Sequence, residues 1–302
     1  MVKSGGKNKL DIVAGDILCA KEDGSKAVFD KDDYYSIPSS WTPIGVVVIP
    51  PSHDVYGTGE GAAMSLKYMD PNNPDMGAGS QTYVKYGQSE KWLSLPNYTY
   101  ANTTDNKQDE FISITTYVYL PSDKFTSIQC TTDPIAYYNS DTYKAPSPYI
   151  SDGSRNPSYY GDFYDIETYN AFSDFDGKGN SDFLLSIAVG QMDWKLNQSI
   201  WNYSGEDFSP AACCCWRYHT VGTNQGDWYV PAIGELGYFM PRYNDITTTM
   251  NHFNMIPPVD NNGLISSTEY SDTQYWGVWV SYGSVYQGLK SSDSFVIAFT
   301  RF

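Results

Sequence analysis

The apolar run between Pro43 and Pro51 places the tightest limit on how this chain can fold. Residues 44–49 have the sequence Ile-Gly-Val-Val-Val-Ile, without a polar or charged side chain. β-Branched residues favour an extended backbone, and a strand that lacks polar alternation is buried on both faces. The run therefore predicts a central strand that is covered on two sides, and a protein built around a sheet.

The composition agrees with many strands, turns and surface loops. Aromatic residues make up 16% of the 302 residues, with 27 Tyr, while charged residues make up only 18%, which disfavours a helical bundle. The net charge of -16 argues against nucleic-acid binding and against attraction to anionic membranes. No apolar run reaches the roughly 20 residues of a transmembrane helix. The cationic start has no apolar region behind it, so we expect no secretory signal.

The first part of the chain has the pattern of a β-hairpin. Residues 10–20 and 26–29 are short β-like runs, and Asp23-Gly24 between them is a favourable hairpin turn. We therefore divide the chain into an N-terminal β appendage, residues 1–42, and a main domain, residues 43–302. An attachment or oligomerisation piece and an extra hairpin on the main domain both agree with this sequence.

The last third predicts a strand, a helix and a β-rich end. Residues 228–230, Trp-Tyr-Val, favour an extended backbone that Pro231 ends. Residues 234–240 have the apolar spacing of a short helix that closes before Pro241. Alternating Val and aromatic residues from position 278 onward predict antiparallel strands.

Three motifs in this region, in this order, resemble those of C-type-lectin-like domains of the Fibrobacter major paralogous type. They are residues 227–236 (DWYVPAIGEL), 265–270 (ISSTEY) and 296–302 (VIAFTRF). The resemblance implies an α+β fold of the C-type-lectin-like kind, with antiparallel sheets, few short helices and long irregular loops. It also implies that the strand after Pro43 lies near the closing strand.

With residues 42–48 (TPIGVVV) and 213–217 (CCCWR) included, the chain is similar to fibre or receptor-binding proteins of gut Bacteroides phages, including the crAss-like group. This implies a non-enzymatic virion protein, a head or tail fibre or receptor-binding subunit that recognises a host surface glycan or protein. It would be made in the host cytoplasm, form a homo-oligomer such as a trimer, and contact other virion proteins through its N-terminal region. Nucleic acid, membrane insertion and cofactors are not expected. The alternatives are a purely structural capsid or tail decoration, or an enzyme on the same scaffold, either a formylglycine-generating-like oxidase or a glycan hydrolase.

The resemblance places the binding surface on the loops between the core helix and the closing strands. Aromatic rings there offer flat apolar faces to a sugar or a protein, and the polar side chains can hydrogen-bond to hydroxyl groups. We expect the Tyr side chains to be exposed and Trp279 to be in the core. Trp276 could be a core residue or an exposed ligand-binding residue. A Tyr-rich stretch, residues 137–169, is the second candidate. The candidate ligand-binding residues are Tyr270, Asp272, Gln274, Tyr275, Trp276, Tyr282 and Tyr286.

The sequence offers little support for an active site. Its three histidines, His53, His219 and His252, stand apart from any nucleophile motif, and no zinc-protease, P-loop or Rossmann pattern occurs. We assign no catalytic residue. Two carboxylates at a hydrolase spacing stay possible in a chain with 35 Asp and Glu.

The five cysteines indicate structural thiols. Cys19, Cys130 and the run 213–215 form no C-x-x-C pair, and three adjacent cysteines cannot all face one ion. We predict that the run lies in a strand whose alternate members enter two packed layers. Its thiols would then be buried and poorly reactive, without a metal or redox role.

Three aspartates near residue 180 are spaced like ligands of a calcium loop: Asp174, Asp176 and Asp182. Lys178 and Leu185, however, occupy positions that a calcium loop fills with oxygen ligands. In the family that the chain resembles, the matching segment is a turn that caps a helix. We therefore expect a helix capped by Asn180 or Ser181, and no metal.

Glu235 and Glu269 occupy fixed polar positions of the resembled family. We interpret them as buried acceptors for backbone N–H groups, at the Pro231 turn and at a loop formed by residues 266–268. A catalytic pair is the other interpretation. Arg301 is a candidate partner for one of them.

Overall fold

The computed structural model describes residues 6–53, 55–87, 174–188, 209–239, 242–255, 257, 263–270, 273–279 and 284–302. This part of the chain is α+β, with antiparallel sheets and a few short helices, as expected. Its strands are β1 (Ile17–Ala20), β2 (Lys26–Phe29), β3 (Thr42–Ile49), β4 (Ala62–Tyr68), β5 (Val84–Lys85), β6 (Leu264–Glu269), β7 (Gln274–Trp279), β8 (Ser284–Leu289), β9 (Asp293–Ser294) and β10 (Ile297–Arg301). Its α-helices are α1 (Gly177–Ala188), α2 (Pro210–Arg217), α3 (Ile233–Phe239) and α4 (Tyr243–His252), and three short 3-10 helices span Lys9–Asp11, Lys31–Ser36 and Pro51–His53.

The main sheet has the strand order β10-β4-β3-β1-β2, with antiparallel neighbours throughout. β3 is its central strand and is buried from Ile44 to Ile49, which confirms the prediction from the apolar run. β10 lies in the same sheet, with β4 between it and β3.

The predicted hairpin turn is confirmed. β1 pairs with β2, and Gly24 in the turn has φ +85°, a conformation that glycine adopts without steric cost. β1 also pairs with β3, Ile17 lying opposite Val46. The sheet thus crosses the boundary that we placed after residue 42, and the hairpin forms the edge of the main sheet.

Both faces of the main sheet are covered by helices. One face, which includes Leu18 and Ala298, packs against α1 and α2. The other face, which includes Met64 and Phe299, packs against α3 and α4. No helix in the part of the chain that the structure describes is long and apolar enough to cross a membrane.

The last third follows the expected order of elements. Tyr229 is extended and pairs with Phe299 of β10, α3 occupies the place of the predicted helix, and β6, β7 and β8 form a three-stranded antiparallel sheet. β5 and β9 form a further antiparallel pair. The antiparallel end and the short helix are therefore confirmed.

The cysteine run was predicted wrongly. It lies in α2, not in a strand, and all three thiols are buried. Pro210 stands at the start of this helix, where its fixed φ is favourable and its missing N–H costs nothing, and two alanines follow.

Residues 266–268 do not form a loop; they lie in β6 and are buried. Their polarity is accommodated by hydrogen bonds inside the protein, because Ser266 Oγ donates to the Trp276 carbonyl and Thr268 Oγ1 donates to Asp174 Oδ2. Ser and Thr are typical of loops, but they also occur in a buried strand when their hydroxyl groups are hydrogen-bonded. The sequence of residues 266–268 therefore predicted a loop where the protein has a strand.

The predicted helix cap was also placed too late. α1 begins at Gly177, so Asn180 and Ser181 lie inside the helix. Asp176 caps it instead, since Asp176 Oδ1 accepts a hydrogen bond from the Gly179 N–H at 3.0 Å.

Candidate functional site

Five of the seven predicted ligand-binding residues lie on the three-stranded sheet and its first turn. They are Tyr270, Gln274, Tyr275, Trp276 and Tyr286. Asp272 and Tyr282 lie outside the described residues, as do Cys130 and the Tyr-rich stretch 137–169.

The pairing register divides these residues between two faces of the sheet. Tyr275 lies opposite Gly288, and Tyr286 lies opposite Gly277. Successive side chains of a strand alternate, so Tyr275, Tyr286 and Trp279 share one face while Gln274 and Trp276 lie on the other. The structure therefore does not gather all the predicted residues into one surface.

On the first face, four rings form a continuous series, here called the aromatic row: Tyr86, Tyr275, Tyr286 and Trp279. Tyr86 stacks on Tyr275 with ring centres 5.2 Å apart and planes inclined by 2°. Tyr286 meets Tyr275 edge to face at 6.0 Å and contacts Trp279 at 4.6 Å. Gly277 leaves space for this packing, since a Cβ there would lie 2.6 Å from Tyr286 Cε1.

The row passes from the core to the surface. Tyr275 is only 1% exposed, so the expectation that it is exposed is wrong; its ring is enclosed between Tyr86 and Tyr286. Tyr286 and Trp279 are half-buried, and Trp279 is therefore more accessible than expected. We call these two rings the aromatic pair.

Hydrogen bonds fix the orientation of Tyr286. Its hydroxyl lies 3.1 Å from that of Tyr275 and 3.2 Å from Ser294 Oγ. Burial raises the pKa of the Tyr286 hydroxyl, so this end of the side chain is enclosed, and the residue as a whole is half-buried. The aromatic pair is thus preorganised, with its two ring planes inclined by 40°.

On the second face, Trp276 is a core residue. It is 2% exposed, and half-buried Tyr270 packs edge-on against it with ring centres 4.9 Å apart. Gln274 is half-buried at the β6–β7 turn, where the Tyr270 N–H donates to its carbonyl. Tyr270 and Gln274 therefore stand at the opposite end of β7 from Trp279.

Glu235 is a buried acceptor, as interpreted from the sequence. Its Oε2 accepts from the Ala232 N–H at 2.8 Å, directly after Pro231, and its Oε1 accepts from the hydroxyls of Tyr56 and Tyr229 at 2.6 and 2.9 Å. Burial raises the pKa of Glu235 to about 7. Both carboxylate oxygens accept hydrogen bonds from other groups of the protein, which is typical of a carboxylate with a structural role.

Asp174 joins α1 to β6. Its carboxylate accepts from the Asp176 N–H, from Asn180 Nδ2 and from Thr268 Oγ1, at 2.8 to 3.0 Å. It is buried, and burial raises its pKa to about 6. Among the residues that the structure describes, no three His, Cys, Asp or Glu side chains are placed to hold a metal ion.

Glu269 has a partner that the sequence did not reveal. It forms an ion pair with Lys290, which follows β8, and neither side chain is exposed. The Lys290 ammonium also lies 5.6 Å from the centre of the Tyr86 ring. Only the folded sheet brings these residues together, so no local sequence signal could have indicated the pair.

Arg301 does not join either glutamate directly. It pairs with Asp176 at 3.2 Å, and its guanidinium lies 4.0 Å from the centre of the Tyr56 ring. Its positive charge still acts at longer range on Glu235, where it opposes the rise in pKa that burial causes.

The thiols that the structure describes are free and buried. Burial raises the pKa of Cys19 and of Cys213 to about 12, and raises those of Cys214 and Cys215 as well. Their predicted burial is confirmed, and a thiol with so high a pKa is expected to supply almost no thiolate near neutral pH.

A groove of about 640 Å³ lies between the β1–β2 turn and residues 218–224. Its lining mixes acidic Asp23, basic Lys67 and His219 with exposed Met76. Next to this lining in the sequence, Arg217 contacts both carboxylate oxygens of Asp75 at 2.7 Å.

No protein-family model matches this chain, and no curated protein does. Among solved structures, the chain is similar to the crystal structure of a fimbrial protein from Bacteroides ovatus, with 14% sequence identity and a TM-score of 0.41. The similarity covers 96% of this chain and 49% of that one, so this chain spans about half the length of the fimbrial protein.

Proposed function

We propose that this chain is a non-enzymatic bacteriophage virion protein with a C-type-lectin-like fold. In this proposal it is a head or tail fibre or receptor-binding subunit, and it recognises a glycan or a protein on the surface of a gut bacterium. Three sequence motifs support the fold, and these motifs together with residues 42–48 and 213–217 support the virion role. The observation that carries the binding function is the aromatic pair at the outer end of the aromatic row.

The aromatic pair suits a surface-binding function because it is both accessible and rigid. Trp279 and Tyr286 are half-buried, and their rings are held 4.6 Å apart with planes inclined by 40°. Their faces can cover the apolar side of a sugar ring or an apolar side chain, and little conformational entropy is lost on binding because packing already fixes the rings.

Two observations count against the enzymatic alternatives. The thiols of α2 are buried and have raised pKa values, whereas an oxidase with paired cysteines needs reachable thiolates. Glu235 has the raised pKa expected of a general acid, but both its oxygens are occupied by Tyr56, Tyr229 and Ala232. A hydrolase acid must reach its substrate.

Binding to host cells and to a glycan array tests the proposal. Trp279→Ala removes the outer ring, and we expect about tenfold weaker attachment or more, as for a central aromatic contact. Trp41→Ala is the matched control, because Trp41 is also half-buried but packs against Phe29 and Lys21 at the N-terminal hairpin. Tyr275→Ala is unsuitable, since it would open a cavity in the core.

Each outcome has a clear meaning. Loss of attachment in Trp279→Ala together with full attachment in Trp41→Ala supports the aromatic pair as the receptor surface. Equal attachment by both variants would remove the aromatic pair from the proposal. If the unaltered protein binds neither host cells nor any glycan, a decoration protein that contacts only other virion components becomes the better explanation.

A further inference from the structure

The groove between the β1–β2 turn and residues 218–224 is lined by a buried tyrosine whose hydroxyl the fold leaves unused. Tyr218 is 3% exposed, and its ring packs edge to face on Trp228 with ring centres 5.2 Å apart. Its hydroxyl has no hydrogen-bond partner among the residues that the structure describes. Buried hydroxyl groups normally have a partner. Because Tyr218 lines the groove, an occupant of the groove can supply that partner.

Lys67 and Met76 line the groove beside Tyr218. A Cβ at Gly77 would lie 3.0 Å from Lys67 Cβ and 3.4 Å from Tyr218 Cε2, so the two side chains are neighbours. In the described part of the chain, the Lys67 ammonium takes part in no hydrogen bond or ion pair. Met76 is 61% exposed and adds apolar surface. This side of the groove thus offers an ammonium, a hydroxyl and an apolar side chain.

The β1–β2 turn brings the opposite charge to the same groove. Glu22 and Asp23 line it, and neither forms an ion pair with a residue that the structure describes. An anionic ligand would meet these two carboxylates, and a cationic ligand would meet Lys67. A neutral ligand with several hydroxyl groups suits both, because a hydroxyl can donate to a carboxylate and accept from an ammonium.

The groove is held in shape by the loop formed by residues 220–224. Thr223 Oγ1 donates to the Thr220 carbonyl at 3.0 Å and accepts from Trp228 Nε1 at 3.1 Å. Gly222 has φ +66°, and a Cβ there would clash with the Lys21 carbonyl oxygen, so the loop packs closely on the hairpin. The volume of about 640 Å³ is in the range of small-molecule sites, roughly 300 to 1,000 Å³.

We propose that this groove binds a neutral saccharide. The Lys67 ammonium and the Tyr218 hydroxyl bond to its hydroxyl groups, Glu22 accepts from others, and Met76 covers an apolar C–H face of the sugar ring. The groove shares no lining residue with the aromatic pair, so it is a second ligand site. The inference rests on the proposed function only for the source of the saccharide, which is the host surface.

Isothermal titration calorimetry on the full chain tests this site. The probes are the methyl glycosides of glucose, galactose, mannose and N-acetylglucosamine, with glucuronate and glucosamine as charged comparators. We expect a neutral glycoside to bind with a Kd of about 1 mM, as for a site with few contacts, and more tightly than either comparator. Lys67→Met should weaken this binding by about tenfold or more, and Tyr218→Phe by about three- to tenfold.

The matched controls are Lys26→Met and Tyr35→Phe, because both residues are exposed and neither lines the groove. They should leave the affinity unchanged. Tyr218→Phe should also keep the melting temperature of the unaltered protein, since its hydroxyl has no partner within the described chain. A lower melting temperature would show that this hydroxyl has a structural role, against the inference.

Three further results would overturn the inference: no binding of any neutral glycoside at about 10 mM, tighter binding of glucuronate or glucosamine, or full affinity in both Lys67→Met and Tyr218→Phe. Trp279→Ala separates the two sites, because it alters the aromatic pair and leaves the groove intact. Glycoside binding that persists in Trp279→Ala supports the groove even where host attachment is lost. Host attachment without glycoside binding would refute the groove and leave the proposed function standing.

Discussion

Asp174 and Glu235 retain their protons at pH values where an exposed carboxyl has lost its own. Their pKa values are raised to about 6 and about 7, from ordinary values of 3.8 and 4.5, mainly by burial. At pH values between the ordinary pKa values and the raised pKa values, the folded state binds more protons than the unfolded state. The free energy of unfolding therefore falls as pH rises through this range.

We predict that the protein melts at a higher temperature at pH 5 than at pH 8, and that Glu235→Gln reduces this difference. The amide oxygen can still accept from the Ala232 N–H, and its NH₂ can donate to the hydroxyls of Tyr56 and Tyr229. A fully buried carboxyl contributes on the order of 2 to 3 kcal/mol to the difference in the free energy of unfolding between the two pH values. Thermal unfolding at both pH values measures it, with Asp23→Asn, an exposed site, as control. An unchanged pH difference in Glu235→Gln would mean that Glu235 does not titrate here.

Single residues were predictable where their neighbours in sequence decide their role. Glu235 accepts a hydrogen bond from the Ala232 N–H, three positions away. The turn expected at Pro231 predicted that hydrogen bond. Exposure of Tyr275 and Trp279 was not predictable in this way. Alternation along β7 shows which side chains share a face, but Tyr86, which covers Tyr275, comes from a distant part of the sequence.

At the level of elements, a buried ion pair links the two outer strands of the three-stranded sheet. Glu269 ends β6 and Lys290 follows β8, so the pair joins the two outer strands across β7. Neither side chain is exposed. Removing one member leaves an uncompensated charge in the core, whereas removing both need not.

Lys290→Met should therefore lower the free energy of unfolding by about 3 to 5 kcal/mol, and adding Glu269→Leu should restore most of it. Urea unfolding measures both changes. Asp75→Asn provides the comparison, because its ion pair with Arg217 is partly exposed and should be worth about 1 kcal/mol or less. A double variant as unstable as Lys290→Met would show that packing, and not charge, sets the cost.

Elements with a strong local signal were predicted, and elements defined by their surroundings were not. The Asp23-Gly24 hairpin, the apolar strand β3 and the helix α3 all carry their own pattern. α2 was taken for a strand, although Pro210 at its first position was a usable helix signal. β6 resembled a loop because its hydroxyl groups find partners only in the folded protein.

On the scale of the whole molecule, the N-terminal hairpin belongs to the main sheet. Ile17 and Leu18 of β1 are fully buried, and β1 lies directly beside central β3. Removing the hairpin would expose one edge of β3 and the apolar floor beside it. An unpaired central strand of this kind promotes aggregation.

Deletion of residues 1–41 should thus prevent folding of the remaining chain. The expected result is an insoluble product or one without a cooperative thermal transition, measured by solubility and far-UV circular dichroism. A soluble truncated protein with the melting temperature of the full chain would instead show that the hairpin is a separable appendage.

The pairing of β10 with β4 also decides how the molecule comes to be folded. Ala62 and Arg301 are partners in this pairing, so most of the sequence lies in the loop that the contact closes. Closing a long loop costs entropy before the pairing returns free energy, and topologies dominated by such distant contacts fold slowly. The hairpin of β1 and β2 and the β6–β7–β8 sheet join near neighbours and can form early. We therefore expect docking of β10 to be the late, rate-limiting event, with β4 presenting an open edge to other chains until it occurs.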